Sequence, residues 1–321
     1  MIKNRLKEFI FAEDEVTNNC HASTVLPLAD GTVLAAWFGG SREGNDDVAI
    51  YVSARRNGAW ETPQKMYVTE DVPHWNPVLF LKNDGTVALM FKYGKKIPHW
   101  VTYISFSSDA GRTFSKPEEL VPGDLDGGRG PVKNKAIRLS DGSVLAPASN
   151  EQNEEWKAFV DKSSDDCKTW QRKKYVERPV YRMRIVDMIQ PTLWESEKGK
   201  VHMLLRTDRG YIFRSDSSDY GETWCKAYKT PLFNNNSGID IARLSDGSLV
   251  LISNPVHRNW GVRTPLTLMR SFDNGETFEE LDVLESDKGE YSYPAIVADG
   301  MTLHLTYTYN RKTIVYQRID L

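Results

Sequence analysis

The stretch Ser217–Trp224, SSDYGETW, decides the fold. Its residue types have distinct physical tasks in a tight turn. A short Asp accepts backbone N–H bonds, Gly takes a left-handed conformation that a Cβ disfavours, and the closing aromatic plugs between strands. The phrase recurs as SSDAGRTF from Ser107 and SFDNGETF from Ser271. SSDDCKTW from Ser163 is a variant with Cys167 at the glycine position, and SARRNGAW from Ser53 is a worn copy. The starts 53, 107, 163, 217 and 271 lie 54, 56, 54 and 54 residues apart, so one unit repeats along the chain.

A second phrase is interleaved with the first: ADGTVLAAW, NDGTVALMF, SDGSVLAPA, EKGKVHMLL, SDGSLVLIS and ADGMTLHLTY. Its glycines are Gly31, Gly85, Gly142, Gly199, Gly247 and Gly300. A turn glycine followed by a β-rich run is a hairpin signal. At 321 residues the chain exceeds what one core usually sustains, so it grows by repetition. No segment holds a 3.6-residue period. A β unit of about 50 residues fits one four-stranded blade. The expectation is an all-β, six-bladed β-propeller forming a single domain over residues 1–321. A ring needs a latch, and an early strand near Phe9-Ile10-Phe11 is expected to complete the last blade beside Thr313–Ile319.

The segments before the turn glycines are CHASTVLPL, HWNPVLFL, VKNKAIRL, MIQPTLWE, NSGIDIARL and YSYPAIVA. Each opens polar and turns apolar, as an innermost strand along the axis would. The polar openings are His21, Asn76, Asn134 with Lys135, Gln190, Asp240, and Tyr291 with Tyr293. They are expected to converge at one mouth of the channel. Further candidates are Glu43 on the glycine-hinged loop FGGSREGNDDVAI, Glu151 directly after a strand end, and Arg129, Lys133 and Lys135 in GGRGPVKNK for an anionic ligand. Trp75 and Trp100 each follow a histidine and could stack on a sugar.

Composition excludes other classes. With 41 basic and 44 acidic residues the net charge is −3, so no global field draws nucleic acid or an anionic membrane. No run of about 20 apolar residues offers a transmembrane helix. The opening MIKNRLKEFIFAEDEV meets charge before a signal-length apolar core, which reads as untargeted and cytoplasmic. Cys20, Cys167 and Cys225 lack metal-ligand spacing, and the six histidines show no H-E-x-x-H pattern. No phosphate loop or dinucleotide fingerprint is present. Neither a metal nor a cofactor is expected.

The Ser-x-Asp-x-Gly-x-Thr-Trp phrase resembles the Asp box of the sialidase (neuraminidase) superfamily, and the chain resembles its BNR-repeat members from about Cys20 to Arg311. That resemblance implies a site in which three arginines hold a substrate carboxylate, a Tyr activated by a Glu is the nucleophile, and an Asp is the acid/base. Arg206 in HMLLRT takes the second arginine's place, Arg263 the third's, and Tyr291 in GEYSYPAI matches the nucleophile's Tyr-Ser phrase. His21 stands where the first arginine is implied, Asn76 where the acid is, and Gln190 where the Glu is. Asn and Gln cannot shuttle protons.

The leading expectation is therefore a glycoside hydrolase that removes a terminal acidic sugar, with Arg206 and Arg263 as clamp and Tyr291 at the anomeric centre. One of Glu43, Glu151 and Asp240 would supply the missing acid. Asn76, Gln190, Lys135, Arg129 and Trp75 would contact the substrate. The alternative is a lyase acting on a uronate, in which His21 takes the proton and Tyr291 protonates the leaving oxygen. A non-catalytic glycan-binding propeller is the third reading. In each, the partner is an acidic oligosaccharide or glycan.

Overall fold

A computed structural model describes residues 2–124 and 128–321. Six antiparallel sheets stand around one axis, as the repeat predicts. The innermost strands are Asn19–Pro27, His74–Leu81, Ile137–Arg138, Met188–Glu197, Asp240–Arg243 and Tyr291–Asp299, one per blade in chain order. Each is followed outward by a hairpin partner, and a third strand leads into the next turn. Asn4–Phe9 pairs antiparallel with Thr313–Asp320, so the amino-terminal strand forms the outer edge of the sixth blade. The register runs from Asn4 opposite Asp320 to Phe9 opposite Val315. A separate hairpin, Val180–Tyr181 with Arg184–Ile185, lies outside the blades between the third and fourth.

Local chemistry sets the hairpins. In the first blade, Leu28 N–H donates to Thr32 O at 2.8 Å and Thr32 N–H to Asp30 Oδ1 at 2.9 Å. Gly31 closes the turn at φ +84°. The same pair of bonds recurs at Lys82/Thr86, Leu139/Ser143 and Leu244/Ser248. At the rim, Gly221 N–H donates to Ser217 Oγ at 2.9 Å, and Asp219 accepts from Thr223 N–H at 2.9 Å. A Cβ on Gly221 would sit 2.7 Å from Leu145 of the preceding blade, so this turn also packs one blade on another.

The core is the set of seams between blades. Leu34, Ala36, Phe38 and Ile50 of the first blade pack with Leu79, Leu89 and Phe91 of the second. Both faces of every central strand are covered, so these strands read as apolar runs and not as strict alternation.

Candidate active site at the channel mouth

Four innermost strands break their ladder at the same place. Pairing skips between His21 and Thr24, Trp75 and Val78, Ile189 and Thr192, and Ser292 and Ala295. The first of the two residues inside each bulge is left-handed: Ala22 at φ 54°, Asn76 at 43°, Gln190 at 50° and Tyr293 at 50°. A bulge re-aims a side chain, and strain of this kind concentrates at functional sites. Here Asn76, Gln190 and Tyr293 all face one cavity of about 320 Å³.

Arginines dominate that cavity. Arg206, only 3% exposed, extends from the strand Lys200–Thr207. Its Nε donates to Asn236 Oδ1 at 2.7 Å, and its Nη1 to Gln190 Oε1 at 2.9 Å and Tyr293 Oη at 2.8 Å. Arg263 Nη1 donates to Glu290 Oε1 at 2.8 Å and Ser292 Oγ at 3.2 Å. Arg311, at the tip of the sixth blade's outer hairpin, donates from Nε to the same Glu290 Oε1 at 2.6 Å and pairs with Glu43. Three guanidiniums from three places in the ring therefore line one cavity. Glu290 and Glu43 answer the second and third. Arg206 has only neutral hydrogen-bond partners among the described residues, and a buried cation without a counter-charge is costly. An arriving carboxylate supplies that charge in the planar geometry a guanidinium prefers.

Two ionisable groups are tuned in opposite directions. Burial would raise the Tyr293 hydroxyl, but Arg206 and Arg263 outweigh it, with help from Gln190, and its pKa lies below the ordinary tyrosine value. Burial raises the Glu151 carboxyl above its usual range against the opposing pull of Arg206. A phenol that ionises early and a carboxyl that holds its proton late face one cavity. Indole rings complete the wall. Trp75 and Trp100 lie 5.2 Å apart, Trp156 and Trp260 meet edge-on at 6.2 Å, and Trp260 is 62% exposed at the rim. Among the described residues no group of three His, Cys, Asp or Glu side chains could hold a metal ion.

Of the residues singled out in the sequence, Arg206, Arg263, Asn76, Gln190, Tyr293, Trp75, Trp100, Glu43 and Glu151 line the cavity. The others do not, for identifiable reasons. Tyr291 is 2% exposed and packs on Tyr309 at 5.1 Å, outside the cavity lining. Burial and the neighbouring Tyr309 raise its pKa to about 12, the wrong direction for a nucleophile. The Tyr-Ser phrase points to Tyr291, whereas the bulge turns Tyr293, two residues on, to the cavity. His21 is 1% exposed behind Tyr293, with ring centroids 4.1 Å apart. Its Nδ1 meets Thr308 Oγ1 at 2.9 Å, and burial followed by the surrounding arginines holds the ring neutral. It supports the tyrosine and has no opening to a substrate.

Asp240 is saturated. It accepts from Lys135 Nζ at 2.9 Å, Thr192 Oγ1 at 2.6 Å, and the Ile241 and Ile296 N–H groups at 2.9 Å each. Asp240 and Lys135 thus knot four blades together instead of meeting a ligand. Arg129 forms a fork with Asp161 at 2.7 and 3.0 Å and also pairs with Asp124, so it is a structural cation. Lys133 donates to Asn134 Oδ1 at 2.8 Å and to Pro294 O, under the Tyr293 bulge.

Sequence reasoning missed Tyr293 as the nucleophile candidate and missed Arg311, Glu290, Trp156 and Trp260 altogether. A signal for Tyr293 existed: Asn76, Gln190 and Tyr293 each directly precede a proline, at Pro77, Pro191 and Pro294. For Arg311 there was none, because a hairpin tip on an outer strand pair carries no mark of facing the axis.

Residues 31–305 match the family model described as a BNR repeat-like domain. The chain belongs to that family. None of the curated proteins compared matches it significantly in sequence. Among solved structures, it is similar to the Hadza microbial sialidase Hz136 at 17% identity and a TM-score of 0.84, over 98% of this chain and 68% of that one. A protein of unknown function from Dyadobacter fermentans matches at 17% identity and a TM-score of 0.79, over 98% of both chains. The Trypanosoma rangeli sialidase in complex with the inhibitor DANA matches at 14% identity and a TM-score of 0.76, over 99% of this chain and 60% of that one. At these identities the likeness establishes a shared sialidase-type propeller. The chemistry rests on this chain's own residues.

Proposed function

We propose that this BNR repeat-like chain is a glycan-active hydrolase that holds a sugar carboxylate among Arg206, Arg263 and Arg311 and cleaves the adjacent glycosidic bond. The observation that carries the reading is Arg206, buried, in no ion pair with a described carboxylate, and hydrogen-bonded to Tyr293 of the cavity. The Tyr293 phenolate attacks the anomeric carbon. Glu151 donates its proton to the leaving oxygen, and the aglycone departs as an alcohol. Water then hydrolyses the glycosyl–tyrosine bond, giving its proton to the Glu151 carboxylate and restoring the phenolate. In this scheme the arginines do what Gln190 cannot: they favour the ionised phenol without a general base.

The burial of His21 speaks against the lyase in which that residue takes a proton from the substrate. A binder needs no oppositely tuned tyrosine and carboxyl, which favours the enzyme. The test is a screen of acidic oligosaccharides, following reducing ends and the ultraviolet absorbance of an unsaturated uronate. New reducing ends without that absorbance are expected. The absorbance would identify a lyase, and equal turnover of an acid and its carboxyl-reduced form would reject the clamp.

A further inference from the structure

Beside the axial cavity lies a second cleft of about 310 Å³, lined by Arg182, Arg184, Arg209, Arg258, Asp208 and His257 among others. The chain as a whole carries −3, yet this cleft gathers four guanidiniums and one carboxylate. Asp208 is already committed to Arg209 at 2.6 Å. Arg182, Arg184 and Arg258 have no carboxylate partner among the described residues, and all three are exposed. Like charges held together without counter-charges repel, so a built cluster of this kind favours an anion.

The cleft is constructed and joined to the cavity. Arg182 and Arg184 come from the hairpin Val180–Tyr181/Arg184–Ile185, the piece outside the six blades. Arg209 Nη2 donates to Ile185 O at 2.5 Å and ties that hairpin down. The opposite wall, residues 257–259, is seated by Gly210: a Cβ there would lie 2.8 Å from His257 Cδ2. His257 stacks on Phe233 at 4.8 Å and packs on Tyr211 at 4.5 Å. The next residue, Trp260, lines the axial cavity. Asn259 Oδ1 accepts from Asn236 Nδ2 at 2.8 Å, and Asn236 Oδ1 holds Arg206. One braced loop is therefore a wall of both spaces.

We infer that this cleft binds a further anionic group of the same glycan, so that the ligand is an acidic oligosaccharide carrying several carboxylates or sulfate esters rather than one terminal acid. The inference rests on the glycan reading of the axial cavity and names the class of chain that cavity serves. Guanidinium forks match either anion bidentately.

The experiment titrates the full chain calorimetrically with oligogalacturonate, with sulfated dextran and with neutral dextran, at low and high ionic strength. Binding of one or both anionic chains, weakened by salt, is expected; which binds distinguishes carboxylate from sulfate ester. The exposed triple variant Arg182→Ser/Arg184→Ser/Arg258→Ser, with an unchanged melting temperature, should bind at least about tenfold more weakly. Arg206→Ala should retain most of the binding. No anionic chain bound by the wild type, equal binding of neutral dextran, or an undiminished triple variant would each overturn the cleft. Failure of every acidic substrate in the turnover screen, with chain binding intact, would instead reject the cavity reading and leave the cleft standing.

Discussion

The rim turns and the axial bulges are both repeated devices, and they repeat different things. At the rim, the side chains recur with the backbone. Gly111, Gly221 and Gly275 donate to a serine at 2.8, 2.9 and 2.8 Å, and Thr113, Thr223 and Thr277 N–H groups meet an aspartate at 2.9 Å each. At the axis only the backbone recurs: the bulge holds Ala22, Asn76, Gln190 or Tyr293 in the same left-handed conformation. A turn that closes its own hydrogen bonds needs fixed residue types. A bulge held by its two strands leaves its side chain free to vary, and chemistry can be placed there.

The largest expected effect breaks the axial half of that contrast. Tyr293→Phe should reduce turnover to near background while the melting temperature holds. Tyr291→Phe, outside the cavity, should leave the turnover of folded protein unchanged. The reverse outcome, read in kcat for the two variants, would restore the sequence-based choice.

Next in size is Glu151→Gln, expected to lower kcat by about 10²–10⁴-fold, as for a positioned proton donor. The wild-type kcat/KM profile should be a bell. Its lower limb lies above the ordinary carboxyl value because burial raises Glu151, and its upper limb lies below the ordinary tyrosine value because the arginines lower Tyr293. The scheme needs Tyr293 ionised and Glu151 protonated, so Glu151→Gln should remove the alkaline fall and leave a rate that climbs with pH through the lowered Tyr293 value. An alkaline fall that survives in Glu151→Gln would place the proton donor elsewhere.

Arg311 tests the part of the site that no inner strand supplies. Arg311→Ala strands Glu43, leaves Glu290 to Arg263 alone, and should weaken substrate binding by about 2 kcal/mol. Arg311→Lys should recover part, since it keeps charge but loses the fork. A KM equal to wild type in both variants would remove Arg311 from the clamp.

The smallest effect probes the rim. Burial would raise the Asp219 carboxyl, but bonds from Thr223 and Ser217 win, and its pKa is lowered. Its contribution to stability is therefore present above the unfolded carboxyl value and lost as pH falls through the folded one. Asp219→Ala should lower the melting temperature by about 2 °C near neutral pH, lose that deficit in acid, and leave kcat/KM untouched. A fall in turnover would mean that the rim reaches the site.

The sequence alone determined the ring. Turn glycines and serine–aspartate pairs act within a few residues, so their spacing is legible without any long-range contact, and six even units leave little choice of architecture. It also marked Arg206, Asn76, Gln190, Trp75, Glu43 and Glu151, which lie on or just after strands that the repeat places near the axis, and Arg263, just ahead of the strand Leu266–Ser271. Only the tertiary structure decided which polar residues face the cavity and which are consumed below it. Asp240 and Lys135 look like ligand contacts until four blades close on them. Tyr293 displaces Tyr291 because a bulge shifts the register, and a one-residue change of register turns a side chain to the opposite face. Arg311 enters from a hairpin tip 105 residues from Arg206 in sequence, because ring closure brings the last blade beside the first. Electrostatic partnership is a property of that closure, and no local pattern encodes it.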